Sequence, residues 1–404
     1  MPRTASRRTT TKAAKSSQEA KILKPKNQCT LSIKPTELSQ NLKLLNTAIG
    51  CNQKGLDRLK IEVGDGQSIF TVAGDTIELK VKHKATKAQN LEPIQVSCKQ
   101  FNDLASRLDN STQKLELSQE RVSITNRKET YALVLNTYKD VLPQNKSEFT
   151  PIASVKADKF KQALDSTLPF LNSDTKEVTS GVCLQIQRLE DESLALILTG
   201  LSNPGMGTTT TIVEEVEVED LSETRDEELK LVLPRKAISF IATNAKDFIL
   251  SIAGTSVKFD WSNTECILET IQSDEYPNLD EIKESLKDND FSIGFNRLDL
   301  LDALKRQQVM SQEVELAIED NNCRLSHATE KGSGAENLFC DCDRDEPISL
   351  CLHTDYLIKV ILLLEEQTVQ LKLNLEAERE ERGSSRVVIE ERNSMYCLAQ
   401  LVSN

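Results

Sequence analysis

Leu38, Leu42, Leu45 and Ile49 recur four, three and four residues apart, which sets them on one face of a helix. Helical spacing returns at Phe101, Leu104, Ala105 and Leu108, and again at Phe160, Leu164 and Leu168. It recurs at Ile238, Ile241 and Ala242, at Leu298, Leu301 and Leu304, and at Leu357, Val360, Ile361 and Leu364. Between these six segments lie strand-length apolar runs. The first helix is followed by 59–63, 68–73 and 77–82, and the second is preceded by 94–96 and followed by 114–117, 122–124 and 131–135. Later strands are predicted at 182–187, 195–198, 208–218 and 231–233. Gly64-Asp65-Gly66 predicts a hairpin turn. Pro234, with its fixed φ, suits the first turn of the fourth helix. The glycine-rich stretch 200–207 lacks the Lys and helix pattern of a phosphate-binding loop and reads as a loop between strands.

One motif comes round three times. It reads Leu31-Ser-Ile-Lys-Pro-Thr-Glu-Leu, then Ala153-Ser-Val-Lys-Ala-Asp-Lys-Phe, then Phe291-Ser-Ile-Gly-Phe-Asn-Arg-Leu. Each is a short strand closing on Ser-Ile or Ser-Val, followed by a turn and an amphipathic helix. Ser32, Ser154 and Ser292 lie 122 and 138 residues apart, far beyond a solenoid period of roughly 20–50 residues. The expected architecture is therefore α+β: three tandem copies of one domain, each holding two strand–helix–strands units. The boundaries fall at 1–27 for a basic tail and at 28–148, 149–288 and 289–404 for the domains, with linkers near 143–151 and 278–290.

Composition adds constraints. Aromatics are only 4% of the chain, so the cores rest on Leu, Ile and Val. No apolar run approaches the ~18–20 residues that span a bilayer, so no membrane role is expected. Ten cysteines without a framework suit free thiols in a reducing compartment. Cys340, Cys342, Cys351 and His353 offer soft metal ligands, but a Cys-x-Cys pair on one strand face better suits a core, where free Cys behaves as a small hydrophobe. No nucleophile elbow, zincin motif or P-loop is present, so neither catalysis nor a cofactor is expected.

The net charge of −13 is unevenly placed. Residues 1–27 carry eight Lys/Arg and one Glu, a composition that predicts disorder and fits a solubilising extension, a nucleic-acid arm or a transit peptide. The six helix windows are net positive while the remaining strands and loops hold the acid. Lys43, Arg107, Lys159, Lys161, Arg235, Lys236, Lys305 and Arg306 fall on helices. If all six helices line one surface, that surface would hold a polyanion loosely through phosphate contacts. Ordinary solvated helix faces would give the same counts.

The chain resembles the bacterial sliding clamp, the β subunit of DNA polymerase III, over residues 28–404. The resemblance is carried by Leu233-Pro-Arg-Lys-Ala-Ile238, Tyr276-Pro-Asn-Leu and Ile293-Gly-Phe-Asn-Arg-Leu-Asp-Leu-Leu-Asp-Ala-Leu304. Weaker pieces are Phe70-Thr-Val-Ala-Gly-Asp75, Ser180-Gly-Val182 and Tyr396-Cys-Leu. It implies a non-catalytic processivity factor in which two chains close head to tail into a ring around duplex DNA, helices inside. The ring would tether the replicative polymerase, be opened by a clamp loader, and work in the cytoplasm at the nucleoid. The N-terminal tail leaves organellar targeting open.

The resemblance further implies that Leu133 and Leu135 meet Val309 and Met310 across the dimer interface, and that Lys54 and Lys176 join Arg235, Lys236, Lys305 and Arg306 in facing DNA. A partner-peptide cleft would use Thr179, Thr199, Pro234, Ile238, Leu398 and Leu401. Three features depart from the family. Thr199-Gly-Leu-Ser-Asn-Pro stands where the family has Thr-Asp-Gly-His-Arg-Leu. The C-terminus reads Ala399-Gln-Leu-Val-Ser-Asn404, and Thr179 replaces an apolar residue. A clamp-derived scaffold with an altered cleft is the alternative, and a metal-dependent enzyme the remote one.

Overall fold

The computed structural model describes residues 28–53, 56–84, 91–107, 113–125, 130–135, 142, 144–174, 177–216, 229–271, 276–287, 289, 291–330, 332–342, 347–374 and 386–401. The basic tail, Lys54, Leu108 and Lys176 lie outside them.

The first repeat runs β1 (Gln28–Ile33), α1 (Pro35–Ile49), β2 (Leu59–Gly64), β3 (Gln67–Ala73) and β4 (Ile77–Lys84). It continues with β5 (Leu91–Val96), α2 (Cys98–Arg107), β6 (Gln113–Ser118), β7 (Arg121–Thr125) and β8 (Thr130–Val134). The second has β9 (Thr150–Val155), α3 (Ala157–Thr167), β10 (Val182–Arg188), β11 (Leu194–Ser202), β12 (Gly205–Ile212) and the short β13 (Glu214–Glu215). Its other half is β14 (Leu229–Leu233), α4 (Arg235–Asn244), β15 (Phe248–Ala253), β16 (Ser256–Trp261) and β17 (Thr264–Glu269). After α5 (Leu279–Glu284) the third repeat has β18 (Phe291–Asn296), α6 (Arg297–Gln308), β19 (Glu313–Glu319), β20 (Asn322–Thr329) and β21 (Gly332–Asp341). It closes with β22 (Ile348–His353), α7 (Thr354–Leu363), β23 (Thr368–Leu373), β24 (Arg386–Glu391) and β25 (Ser394–Ala399).

Within each repeat the two units exchange their first strands. β1 joins β6-β7-β8, while β5 joins β2-β3-β4. The second repeat does the same with β9-β15-β16-β17 and β14-β10-β11-β12, and the third with β18-β23-β24-β25 and β22-β19-β20-β21. The exchange forces both helices of a repeat onto the same side, so α1 packs on α2, α3 on α4 and α6 on α7. Sheets also run through the repeat boundaries. β4 pairs antiparallel with β17, and β12 with β25.

The helix stripes set the cores. Leu38, Leu42 and Leu45 of α1 are fully buried, each contributing ~1.5–3 kcal/mol. Ala48 completes that stripe, and Ile49 is only half-buried. In α6 the expected stripe is shifted. Leu301 and Leu304 are buried as expected, but Leu298 is 59% exposed, and Leu300 and Ala303 are buried beside them. The motif itself is offset there, because β18 runs two residues farther past Ser292 before Asn296 caps the helix through the amides of Leu298 and Asp299. Leu168 falls past the end of α3, in a 3-10 turn over Leu168–Phe170.

Other expectations change with tertiary packing. Stretch 200–207 is mostly strand, not loop: only Asn203 and Pro204 form the turn between β11 and β12. Gly207 sits there because a Cβ would lie 2.5 Å from the Phe170 ring. The run 208–218 breaks at Val213, leaving β13 to pair with β9. The linker expected at 278–290 carries α5, and β9 begins inside the one expected at 143–151. Pro234 stands at the N-cap of α4, one residue before its first turn. The turn at Asp65-Gly66 has φ of 50° and 75°, the twist a two-residue hairpin requires.

Candidate nucleic-acid interface

The six helices of the strand–helix–strands units present their polar faces away from the sheets. Lys43, Lys99, Arg107, Lys159, Lys161, Arg235, Lys236, Lys305 and Lys359 are exposed on them. Some of this charge has a local cause. Arg107, Lys305 and Arg306 stand in last helical turns and Glu37, Asp158, Asp299 and Asp355 in first turns, as the helix dipole favours.

Of the residues expected to face DNA, Arg235 and Lys236 open α4 at a crevice of 1560 Å³ between α4 and the end of α1. Asp75, Glu177 and Glu269 line the same crevice, so its charge is mixed. Lys305 is exposed near the end of α6, where its neighbour Arg306 holds Glu336 of β21 through two bonds, Nε at 3.0 Å. That exposed pair is screened by solvent and worth little to stability, but it takes Arg306 out of the set of unpaired cations. On α7, Lys359 lies over the Tyr356 ring at 4.5 Å and Leu362 is 56% exposed, so this helix carries a single cation on a largely apolar surface.

The residues of the expected partner cleft differ in exposure. Ile238 is fully buried in the core shared by the first two repeats, and Leu398 is buried in the core of the third, beside Phe170. Thr199 faces the other side of its sheet. Its hydroxyl meets that of Thr208 at 2.9 Å, and its carbonyl accepts from the buried Tyr276 hydroxyl. Thr179, Pro234 and Leu401 are half-buried, and Leu401 is fixed by its amide on the Cys351 carbonyl.

The expected interface residues divide. Leu133 and Leu135 are half-buried against the first repeat's core, whereas Val309 is 80% exposed and Met310 partly so. Sequence reasoning missed Tyr131 on β8 and Phe339 on β21, both exposed. Their strands are the informative feature. Inside the chain, the last strand of one repeat's first unit pairs with the last strand of the next repeat's second unit, as β4–β17 and β12–β25 show. β21 and β8 hold those same two positions, and β8 ends its sheet. β21 is paired along β20 but touches β18 only at Asp341 and Cys340. The exposed period-two pattern of β21 through Ser333, Ala335, Asn337 and Phe339 could be found in the sequence once the strand is known.

The thiols behave as core groups. Burial pushes Cys98 and Cys323 up to about 12 and Cys340 and Cys397 to about 11. Cys340 and Cys342 face the third core, while Cys351 and His353 sit on β22, separated from β21 by the two strands β20 and β19. The four side chains are therefore not brought together. No group of three or more potential metal ligands occurs among the described residues. No helix among them is long and apolar enough to cross a membrane.

This architecture is similar to solved sliding clamps. The DNA polymerase sliding clamp from Pseudomonas aeruginosa matches with a TM-score of 0.77 at 13% identity, covering 93% of this chain and 100% of that one. The DnaN sliding clamp from Bartonella birtlesii, bound to griselimycin, matches with a TM-score of 0.76 at 16% identity, with 93% and 100% coverage. The Helicobacter pylori β clamp bound to a DNA ligase peptide gives 0.73 at 16% identity over the same shares. The chain has the sliding-clamp fold, as the sequence resemblance implied. A scan against protein-family models gives no match, and a search of curated proteins gives none.

Proposed function

We propose that this protein is a DNA sliding clamp, a non-catalytic processivity factor that encircles duplex DNA. The observation that carries the reading is the pair of unused strand edges. β8 and β21 are the two halves of a junction that the chain already makes twice, at β4–β17 and β12–β25. A second copy supplies the missing half at each end, and two copies joined head to tail close a ring of twelve units. Closure also removes exposed strand edges, which otherwise invite indiscriminate pairing. Tyr131, Val309, Met310 and Phe339 then pass from solvent into or beside the two contacts.

The helix faces line the hole in this arrangement. Lys43, Lys159, Lys161, Arg235, Lys236 and Lys305 meet phosphates without reading bases, which holds DNA weakly enough to slide. Lys54 and Lys176, which follow α1 and α3 in the sequence, belong to the same set. Polymerase, clamp loader and other replication proteins are the partners this reading implies, in the cytoplasm at the nucleoid. Of the expected cleft, Thr179, Pro234 and Leu401 remain reachable, while Ile238, Thr199 and Leu398 serve packing.

Light scattering during size-exclusion chromatography tests the reading at two salt concentrations. A mass near twice 45.2 kDa supports it, and a monomer at all concentrations contradicts it.

A further inference from the structure

In the first two repeats, the segment leading to the next repeat crosses the sheet face that points away from the helices. After β8, Gln144 donates to Glu62 of β2 at 3.5 Å, and the Asn145 amide donates to Glu78 of β4 at 2.7 Å. The Asn145 side chain bridges to Ser256 and Glu269 of the second repeat. After β17, Tyr276, Leu279 and Leu286 bury themselves against Cys183, Met206, Val388 and Cys397 on the outer face of β10, β12, β24 and β25.

The corresponding face of the third repeat, on β22-β19-β20-β21, is different. Among the described residues after β25, Gln400 and Leu401 run along the margin of this face, bonding to the carbonyls of Ser349 and Cys351 on β22. Beyond them the face carries a groove of 560 Å³ lined by Glu315, Glu319, Asp320 and Arg324, and Phe339 stands 76% exposed beside it. Glu313 adds a further carboxylate.

We propose that residues 1–27 of the partner chain lie across this acidic outer face, strapping the β21–β8 contact as the linkers strap the two junctions within a chain. This rests on the ring reading, in which the repeat following the third is the first repeat of the partner, and residues 1–27 are the segment that leads to it. Charge fits: the tail carries eight Lys/Arg against one Glu. Length fits: 27 residues reach up to roughly 90 Å extended, and the linker from β8 to β9 crosses its face with far fewer. Composition fits as well: the aliphatic pair Ile22-Leu23 is flanked by Lys21, Lys24 and Lys26, which suits a face that combines carboxylates with the exposed Phe339.

A photo-crosslinking amino acid at position 19 of the full chain tests this, with the solution mass measured on the same sample. The expected result is a dimer whose irradiation joins the tail of one chain to residues 313–341 of the other, seen by peptide mapping of mixed isotope-labelled chains. Glu315→Lys with Glu319→Lys should lower that yield about tenfold, equivalent to ~1.4 kcal/mol, while the dimer mass stays unchanged. Lys21→Gln, Lys24→Gln and Lys26→Gln together should do the same from the other side. A dimer whose crosslinks stay within one chain, map elsewhere or ignore both charge variants overturns the strap alone. A monomer overturns the ring and the strap with it.

Discussion

Replacing Asn145 by alanine tests how the first repeat is fixed to the second. The Asn145 Nδ2 donates to Ser256 Oγ at 2.8 Å and to the Glu269 carboxylate at 2.9 Å, and its Oδ1 accepts from the Ser147 amide at 2.8 Å. A neutral hydrogen bond contributes ~0.5–1.5 kcal/mol and one to a charged group ~1.5–3 kcal/mol. The Asn145 amide bond to Glu78 survives the substitution, and Ser256 and Glu269 still bond each other at 2.9 and 3.0 Å. No buried group is therefore orphaned, which holds the expected loss to about 2 kcal/mol. Asn145→Asp should cost more, because it sets a third carboxylate against Glu78 and Glu269 and loses both donors. Urea unfolding of the full chain, with hydrogen exchange of the β4 and β17 amides, reads the effect. A loss under ~0.5 kcal/mol for both variants, inside the usual range for surface changes, would refute the clasp.

Ile238→Ala should cost ~2–5 kcal/mol of stability, since the side chain is fully buried in the helix–sheet core; a selective loss of peptide binding with unchanged stability would contradict that placement. His83 is held neutral, its pKa lowered first by burial and only partly restored by Glu37. The unfolded chain therefore takes up the proton more readily, so this stability is complete above about pH 6.5 and is lost as pH falls below it. Melts across that range should show an acid-side loss that His83→Gln reduces. Arg235→Ala with Lys236→Ala should flatten the salt dependence of DNA binding by about two in slope, and an unchanged slope would remove both from the interface.

The helices were legible because burial copies their stripes. Leu38, Leu42 and Leu45 keep a four-three rhythm that stays on one face, and they are the residues buried. Leu298, Leu301 and Leu304 step by three, and three-residue steps precess around a helix, so the first of them ends in solvent. The hairpin at Asp65-Gly66 was legible because only residues that accept positive φ suit it. Nothing local reveals that β1 pairs with β6 while β5 pairs with β2, because that exchange is set by long-range packing. The strand character of Gly200–Ser202 and Gly205–Gly207 was hidden for a related reason. Those glycines are there to admit Phe170 and the Thr167 carbonyl, so they mark close approach and not a loop. At the site, exposed Val309 was nameable, but Tyr131 and Phe339 became visible only when the repeated junction showed which edges lack a partner.

A closed ring holds DNA by topology, so retention on circular against linear DNA separates it from a surface binder. The protein is loaded onto nicked circular duplex, separated from free protein by gel filtration in moderate salt, and the DNA is then cut once. The protein should stay with the circle and leave promptly after linearisation, because weak phosphate contacts alone do not hold it. Equal retention on circular and linear DNA, or none on either, would contradict the ring.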